Sequence, residues 1–251
     1  MNRWTGKPAY LQIAADYRTR ILDGRLPGGA KLPSETELMQ RYDVSRIVAK
    51  MAIGVLRGEG LVVSRQGKGS FVRAVRRIVR DSRRYSRRPP PDQLPFQGDT
   101  ALAARQGRWE HASREVRASA DIAHRLHLQL EAPVMRTRYR YVVDDEPVAL
   151  YVSSEPLEVT RSTPVERPEC SPHSGVIARF DSIGITVDSV VERVTARAAV
   201  PAESRRLRLP APGAYVLAIQ RTHFAGDRPV ETCDIVLPGD RYESTYHLQV
   251  D

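Results

Sequence analysis

The chain has 251 residues, with 39 Lys or Arg against 30 Asp or Glu and a formal net charge of +9. It contains no apolar run of the roughly 18 residues that a membrane-spanning helix needs, and the residues after Met1 lack the apolar core of a signal peptide. Its two cysteines, Cys170 and Cys233, cannot build a disulfide framework, so we expect reduced thiols. We therefore expect a cytoplasmic protein with no membrane partner.

The positive charge is concentrated in the N-terminal part of the chain. Residues 1–91 contain 20 Lys or Arg against 7 Asp or Glu, a net charge of +13. Residues 92–251 contain 19 against 23, a net charge of −4. This asymmetry predicts that the first part meets a polyanion and that the second does not.

The first predicted element is an amphipathic helix that stops at Gly24. Its apolar residues recur at helical spacing and are Tyr10, Ile13, Ala14, Tyr17 and Ile21. A second helix is predicted to begin after Ser34, because Ser34 can accept from the amide of Glu37 while the Glu37 carboxylate reaches back to the amide of Ser34. We expect that helix to run to about Tyr42.

A third helix is predicted after Asp43, a turn residue, and Ser45, a helix cap. Its predicted core-facing stripe consists of Val48, Met51, Ala52, Val55 and Leu56. Arg46, Lys50 and Arg57 then lie on the opposite side, and Gly58 and Gly60 end the helix.

A β-hairpin is predicted next, with strands at residues 61–63 and 70–72 around a tip at residues 65–69. Three helices and a hairpin over residues 1–74 predict a winged helix-turn-helix, which places one helix in the major groove of DNA. Taken singly, a basic helix face or a Gly-Lys-Gly tip is more often a solvated surface than a DNA contact. Their order and spacing are what favour DNA binding.

Residues 8–73 resemble the GntR family of bacterial transcription regulators. The matching positions are Tyr10, Gln12, Ile13, Gly24, Pro27, Gly28, residues 32–35, Leu38, residues 44–46, Ala52, Leu56 and residues 59–61, 66–69 and 71–72. The resemblance implies that the third helix is the recognition helix and that the hairpin is the wing. It further implies that this helix and the tip of the wing touch DNA. The implied contacts are Thr36, Ser45, Arg46, Val48, Lys50, Gln66, Gly67, Lys68 and Gly69.

Three positions of the predicted recognition helix depart from the family pattern. Lys50 stands where the family usually has Arg, and a lysine lacks the planar fork of a guanidinium. Val48 and Ala49 replace the usual Thr-Val pair, which removes a hydroxyl that would contact DNA. Arg46 is then the best candidate for reading a guanine edge, because it can donate to two acceptors at once.

An Arg- and Pro-rich linker is predicted at residues 75–98. Seven arginines fall within residues 76–88, and three prolines follow at residues 89–91. One interpretation is a solvated tether that the prolines stiffen. The other is that the arginines add phosphate contacts that carry no sequence information.

Residues 99–251 predict a second domain of the α+β class with an antiparallel sheet. Strands are expected at residues 134–143 and 147–153, joined by Asp144, Asp145 and Glu146. Further strands are expected at residues 185–196, 215–224 and 230–237, with helices ending near Phe180 and covering residues 202–209.

About residues 95–248 resemble the UTRA effector-binding domain of the HutC subfamily, whose fold is similar to that of chorismate lyase. The matching positions are Arg136, Arg138, Arg140, residues 144–147, 192–194 and 196–197, Pro201, Leu207 and residues 212–213, 220–222, 228–231 and 239–242. The resemblance implies a homodimer and a cleft for a small, often anionic metabolite. The candidate effector-binding residues are Arg138, Arg140, Tyr151, Glu192, Arg197 and Glu231.

Alternatives remain for this domain. Alternate arginines on a strand can face solvent or pair with acids on the next strand, and Glu192, Arg197 and Glu231 can form structural ion pairs. Tyr151 stands where some sugar-phosphate-sensing members have an acid, so an amino-sugar phosphate is not the expected ligand. No nucleophile elbow, phosphate-binding Gly-rich loop or histidine-rich metal motif occurs, and we expect no catalytic residue, cofactor or metal.

The sequence therefore predicts a cytoplasmic, nucleoid-associated and sequence-specific DNA-binding regulator. It is expected to act as a repressor on a near-palindromic operator and to respond to a small anionic metabolite. One alternative is a repressor without an effector, whose second domain only dimerises, as in the control of plasmid transfer. The other is an enzyme of the chorismate-lyase type, although fold alone does not establish an activity.

Overall fold

The computed structural model describes residues 6–74, 78–85, 107–173, 175–209 and 214–248. The chain forms two compact units, Met1–Val75 and Arg76–Asp251. The first unit thus ends one residue beyond the boundary that we predicted at residue 74. No helix in the described ranges is both long enough and apolar enough to span a membrane.

The first unit consists of three helices and a hairpin, as predicted. The elements are α1 (Ala9–Leu22), α2 (Glu35–Tyr42), α3 (Arg46–Gly58), β1 (Val62–Arg65) and β2 (Gly69–Val72). At the start of α2, Ser34 Oγ accepts from the amide of Glu37 at 3.2 Å, and Glu37 Oε2 accepts from the amide of Ser34 at 2.7 Å. Ser45 Oγ caps α3 by accepting from the amide of Val48 at 3.4 Å. Both predicted caps are confirmed.

The buried face of α3 differs from the predicted stripe. It consists of Ala49, Ala52, Ile53 and Leu56, whereas Met51 is 43% exposed. Small buried residues on both helices, Ala14 on α1 and Ala49 on α3, allow the backbones of these helices to pack closely. The helix is therefore rotated so that alanines, rather than Met51, face the core.

The second unit is built on a six-stranded antiparallel sheet, which confirms the predicted α+β class. Its strand order is β4-β5-β6-β9-β8-β7, with β4 (Gly107–Arg117), β5 (Pro133–Val143), β6 (Glu146–Pro156), β7 (Ser189–Ala198), β8 (Tyr215–Ala225) and β9 (Arg228–Pro238). The helices are α4 (Ala120–Arg125), α5 (Leu157–Thr160), α6 (Val176–Asp181) and α7 (Pro201–Leu207). The β5-β6 hairpin turns at Asp144 and Asp145, which both have positive φ.

The predicted linker is wrong at residues 78–85. Strand β3 (Ile78–Asp81) pairs in parallel with β10 (Tyr242–Thr245), and a 3-10 turn follows at Ser82–Tyr85. Arg80 on β3 is 1% exposed, so it is neither a solvated tether residue nor available to DNA phosphates. Residues 86–98 of the predicted linker, with the three prolines, lie outside the described residues.

Alternation along the strands gives the six-stranded sheet two faces. Tyr139, Tyr151, Ile235 and Ile219 are aligned across β5, β6, β9 and β8, and we call their side the tyrosine face. On this face the sheet shares a core with Ile78 and Tyr242 of the small β3-β10 sheet. We call the other side the arginine face.

The arginine face carries the residues that neighbour the tyrosine-face row in sequence. They are also aligned across the same four strands and are Arg138, Val152, Asp234 and Gln220. Leu207 of α7 packs on this face against Leu150 and Val216.

Candidate nucleic-acid interface and effector site

The N-terminal end of α3 presents an exposed basic surface. Ser45, Arg46 and Lys50 are exposed there, and the Arg46 side chain is 78% exposed. Thr36 on α2 is also exposed. These side chains are accessible to a DNA backbone or base edge, as a recognition helix requires.

Arg46 forms an ion pair with Glu35. Its Nε donates to Glu35 Oε2 at 2.8 Å, and this hydrogen bond raises the pKa of Arg46. Glu35 is the first residue of α2, so the contact joins the two helices of the helix-turn-helix. Sequence reasoning missed Glu35, because a carboxylate is not expected on a DNA-facing surface.

Val48 is placed less favourably than the other residues of the predicted interface. Its side chain is half-buried and packs against the core of the first unit. Ile47, which the sequence did not single out, is 72% exposed beside Arg46. Ile47 is therefore more accessible than Val48 at this end of α3.

The wing tip is an exposed tight turn formed by Gln66, Gly67, Lys68 and Gly69. The amide of Lys68 donates to the carbonyl oxygen of Arg65 at 3.0 Å. Gly69 has φ +101°, and a Cβ at this position would lie 3.2 Å from Lys31 Cε. Glycine is thus favoured there by the backbone conformation. Lys31 is a basic residue beside the wing that sequence reasoning missed.

The six predicted effector-binding residues do not form one site, because they lie on opposite faces of the sheet. Tyr151, Glu192 and Glu231 belong to the tyrosine face, and Arg138, Arg140 and Arg197 belong to the arginine face. Successive residues of a strand point to opposite faces, so no single cavity can be lined by both sets. The predicted grouping is wrong in this respect.

On the arginine face, two of the three arginines form structural ion pairs. Arg140 donates to Glu110 at 3.0 Å and to the carbonyl oxygen of Arg206 at 3.0 Å. Arg197 donates to both carboxylate oxygens of Glu203, at 2.7 and 2.8 Å. This is the alternative that the sequence left open for strand arginines.

On the tyrosine face, Glu231 is fully buried at the centre of a polar cluster. Its carboxylate accepts from Ser153 Oγ at 2.8 Å, Arg221 Nη2 at 3.1 Å and His223 Nδ1 at 2.8 Å. Burial alone would raise the pKa of Glu231, but the charge of Arg221 and the hydrogen bonds lower it to about 2. Burial and Arg221 lower the pKa of His223, so the imidazole is a neutral donor.

Arg80 and Glu192 form a second buried pair on this face. Arg80 Nη1 donates to Glu192 Oε2 at 2.7 Å and Arg80 Nη2 donates to the Tyr85 hydroxyl at 2.7 Å. Burial would lower the pKa of Arg80, but the Glu192 carboxylate raises it above its usual value. The sequence alone did not single out Arg80, because it is one of seven arginines within residues 76–88.

Two buried donors of this cluster have no acceptor among the described residues. They are Nε of Arg80 and Nε of Arg221. Both guanidinium groups interact electrostatically with Tyr151, which places them on the same part of the tyrosine face. A buried donor without an acceptor is rare in folded proteins and suggests a group that a ligand or water completes.

The architecture is thus that of a winged helix-turn-helix protein with a second, antiparallel-sheet domain. The bacterial regulatory proteins of the gntR family match residues 9–72, and the UTRA domain matches residues 109–243. The chain therefore belongs to the GntR family, in its UTRA-containing HutC-type branch.

Relatives agree with this assignment. The chain is 31% identical to the HTH-type transcriptional regulator YurK of Bacillus subtilis over 161 residues, 63% of this chain and 62% of YurK. It is 45% identical over 65 residues to the HTH-type transcriptional regulator Rv0792c of Mycobacterium tuberculosis, 26% of this chain and 24% of Rv0792c. The chain thus matches less than two thirds of the length of these two relatives.

A solved structure of a GntR-family transcriptional regulator is similar over nearly the whole chain. The identity is 42% and the TM-score is 0.68, with 99% of this chain and 100% of that chain covered. The family and these relatives indicate a DNA-binding transcriptional regulator rather than an enzyme.

Proposed function

We propose that the protein is a transcriptional repressor that binds a near-palindromic operator as a homodimer and is controlled by a small anionic metabolite. The exposed basic end of α3 is the observation that carries the DNA-binding part, and the exposed wing tip with Lys68 supports it. In this role Arg46 reads a guanine edge, and Ser45, Thr36 and Lys50 contact the backbone. A two-fold dimer presents two such helices to two half-sites.

The experiment that tests DNA binding starts from the full-length protein and a pool of random double-stranded DNA. Selected fragments are footprinted, and their affinities are compared with those of scrambled fragments of the same composition. We expect a near-palindromic footprint and at least about a thousandfold preference over scrambled DNA. Equal affinity for selected and scrambled DNA would overturn the proposal.

We assign the effector to the tyrosine face, at Arg80, Arg221 and Tyr151. Among the described residues the Nε atoms of the two buried arginines have no acceptor, which supports an anionic ligand. A guanidinium binds carboxylate and phosphate oxygens with charge-assisted hydrogen bonds. Arg80 lies five residues beyond Val75, the last residue of the first unit. A ligand that binds Arg80 thus acts on the chain segment that follows the DNA-binding unit.

The effector site is tested by thermal unfolding of the full-length protein with a panel of sugar phosphates, phosphonates and small carboxylates. A compound that binds the folded state raises the melting temperature. We expect Tyr151→Phe to reduce that shift and Arg138→Ala, on the arginine face, to leave it unchanged. The reverse pattern would move the site to the arginine face.

A repressor without an effector is the second candidate, and one observation favours it. The charges of the cluster already balance internally, since Arg80 pairs with Glu192 and Arg221 pairs with Glu231. If no compound shifts the melting temperature or the operator affinity, the second domain has only a structural role in this protein.

A further inference from the structure

The ion pair between Glu35 and Arg46 fixes how Arg46 is presented. The pair joins the first residue of α2 to the first residue of α3, with 2.8 Å between Glu35 Oε2 and Arg46 Nε. Exposed ion pairs contribute little to folding stability, and this pair is exposed at its arginine end. Stabilising the fold is therefore a weak reason for this contact, and its effect on the orientation of the guanidinium is the stronger one.

The contact uses only one edge of the guanidinium. Glu35 accepts from Nε, and Nη1 and Nη2 of Arg46 have no acceptor within the described ranges. Guanine presents two acceptors, O6 and N7, in the major groove, and an arginine reads them with two donors in one plane. A carboxylate at Nε thus leaves the outer pair of donors available while it restricts the rotation of a long side chain.

The charge of Glu35 has a second effect. A carboxylate on a DNA-facing surface repels every phosphate, whatever the sequence, so it lowers affinity for all DNA. The repulsion is offset only at a DNA site where the oriented Arg46 donates hydrogen bonds to a guanine. Specificity gained by penalising the wrong partner is a recognised strategy in binding proteins.

We propose that Glu35 is a positioning residue that orients Arg46 for a guanine edge and discriminates against non-specific DNA. This inference rests on the proposed operator binding through α3. Glu35 also lies in the first turn of α2, where a negative charge favours the helix dipole. The test must separate that structural role from positioning.

Glu37 provides a matched control. It lies in the same first turn of α2, and its carboxylate is bonded to Ser34 rather than to Arg46. Glu37→Gln removes the same charge from the same turn, and glutamine is accepted in a capping box. Glu35→Gln removes the charge but keeps an oxygen that can accept from Arg46 Nε, whereas Glu35→Ala removes both.

The experiment measures the affinity of full-length variants for the selected operator, for operators with each guanine replaced in turn, and for scrambled DNA. We expect Glu35→Ala to weaken discrimination at one guanine about tenfold and to raise affinity for scrambled DNA several-fold. Glu35→Gln should raise affinity for scrambled DNA but keep most of the guanine preference. In an Arg46→Ala background, Glu35→Ala should no longer change base preference.

The outcomes separate the two proposals. If the wild type does not distinguish operator from scrambled DNA, operator binding itself fails and the role of Glu35 falls with it. If the wild type is specific but Glu35→Ala and Glu37→Gln change discrimination equally, or neither changes it, only the role of Glu35 is overturned. Circular dichroism melts of all variants show whether a loss of discrimination reflects unfolding.

Discussion

Two arginines show how environment assigns different roles to the same side chain. Arg46 is exposed and holds a single carboxylate by one edge, so it can exchange water for a base without losing its partner. Arg80 is buried and bonded to Glu192 and Tyr85. Removing one partner of such a buried pair leaves an uncompensated charge and costs several kcal/mol, which makes Arg80 a fixed part of the second domain.

Arg46→Ala should weaken operator binding by about 1–3 kcal/mol and relax base preference at one position, because a bidentate contact to guanine is lost. Lys68→Ala, at the exposed wing tip, should instead weaken binding to operator and scrambled DNA alike, since it removes a phosphate contact. Titrations of both variants on both DNAs measure the difference. Equal losses on both DNAs for Arg46→Ala would refute its role in reading a base.

His223 predicts an acid sensitivity of the second domain. Its pKa is lowered in the folded protein, so below about pH 6.5 the unfolded chain takes up a proton that the folded chain does not. The free energy of unfolding should therefore decrease as the pH is lowered below about 6.5, by at most about 1.4 kcal/mol per pH unit for this group. Glu231 adds a further loss as the pH falls from 4.5 towards 2, because its folded pKa is lowered.

Urea unfolding across this pH range, followed by the fluorescence of Trp109 in a Trp4→Phe background, measures the effect. His223→Gln keeps a donor for Glu231 but cannot take up a proton, so it should flatten the dependence near pH 6.5. An unchanged dependence in His223→Gln would show that another group titrates there.

At the scale of elements, the caps and the turn chemistry define the helix-turn-helix. Ser34 and Ser45 supply the caps of α2 and α3, and Asp43 between them adopts the left-handed conformation that reverses the chain. These three residues define where α2 ends and α3 begins, and the shared core of the first unit packs the two helices together.

Ser34→Ala should lower the unfolding free energy of the first unit by about 1 kcal/mol, because the amide of Glu37 loses its acceptor. Ser34→Asn keeps an acceptor oxygen without adding a charge next to Glu37 and serves as the control, with an expected change of a few tenths of a kcal/mol. Thermal melts followed by circular dichroism compare the two. Equal losses in both variants would show that the capping hydrogen bond is not what the serine contributes.

The elements with local signals were predictable, and those that depend on distant partners were not. The capping box, the wing glycines and the Asp144-Asp145 turn are read from a few neighbouring residues, and all are in the structure. Strand β4 escaped prediction because it lies at the sheet edge with nearly all its residues exposed, which removes the apolar alternation. Strand β3 escaped because its partner, β10, is over 160 residues away in the sequence.

The candidate effector site shows the same limit. Sequence reasoning found Tyr151, Glu192 and Glu231, which share a face, but grouped them with arginines of the opposite face. A family motif gives positions along strands, whereas a site requires knowing which positions share a face across several strands. Arg80 could not be found without the pairing of β3 with β10.

At the scale of the whole molecule, the charge is divided between the two halves of the chain. The net charge of +13 over residues 1–91 favours a polyanion, although Arg80 of that segment is buried and paired. Affinity for DNA should therefore depend steeply on salt. The slope of the logarithm of the binding constant against the logarithm of the salt concentration reports how many phosphates are neutralised. Each phosphate contributes about 0.9 to the magnitude of this slope.

Lys68→Ala should reduce that salt slope by about one for each wing that contacts DNA, whereas Glu35→Gln should not reduce it. Affinities measured over a range of potassium chloride concentrations give both slopes. An unchanged slope for Lys68→Ala would show that the wing tip makes no phosphate contact.

The most direct test of operator recognition is a footprint of the full-length protein on DNA selected from a random pool, with affinities measured beside it. Recognition by paired α3 helices predicts a near-palindromic protected site in which one guanine per half-site loses its importance in Arg46→Ala. A footprint without symmetry, or an Arg46→Ala variant with unchanged base preference, would contradict it.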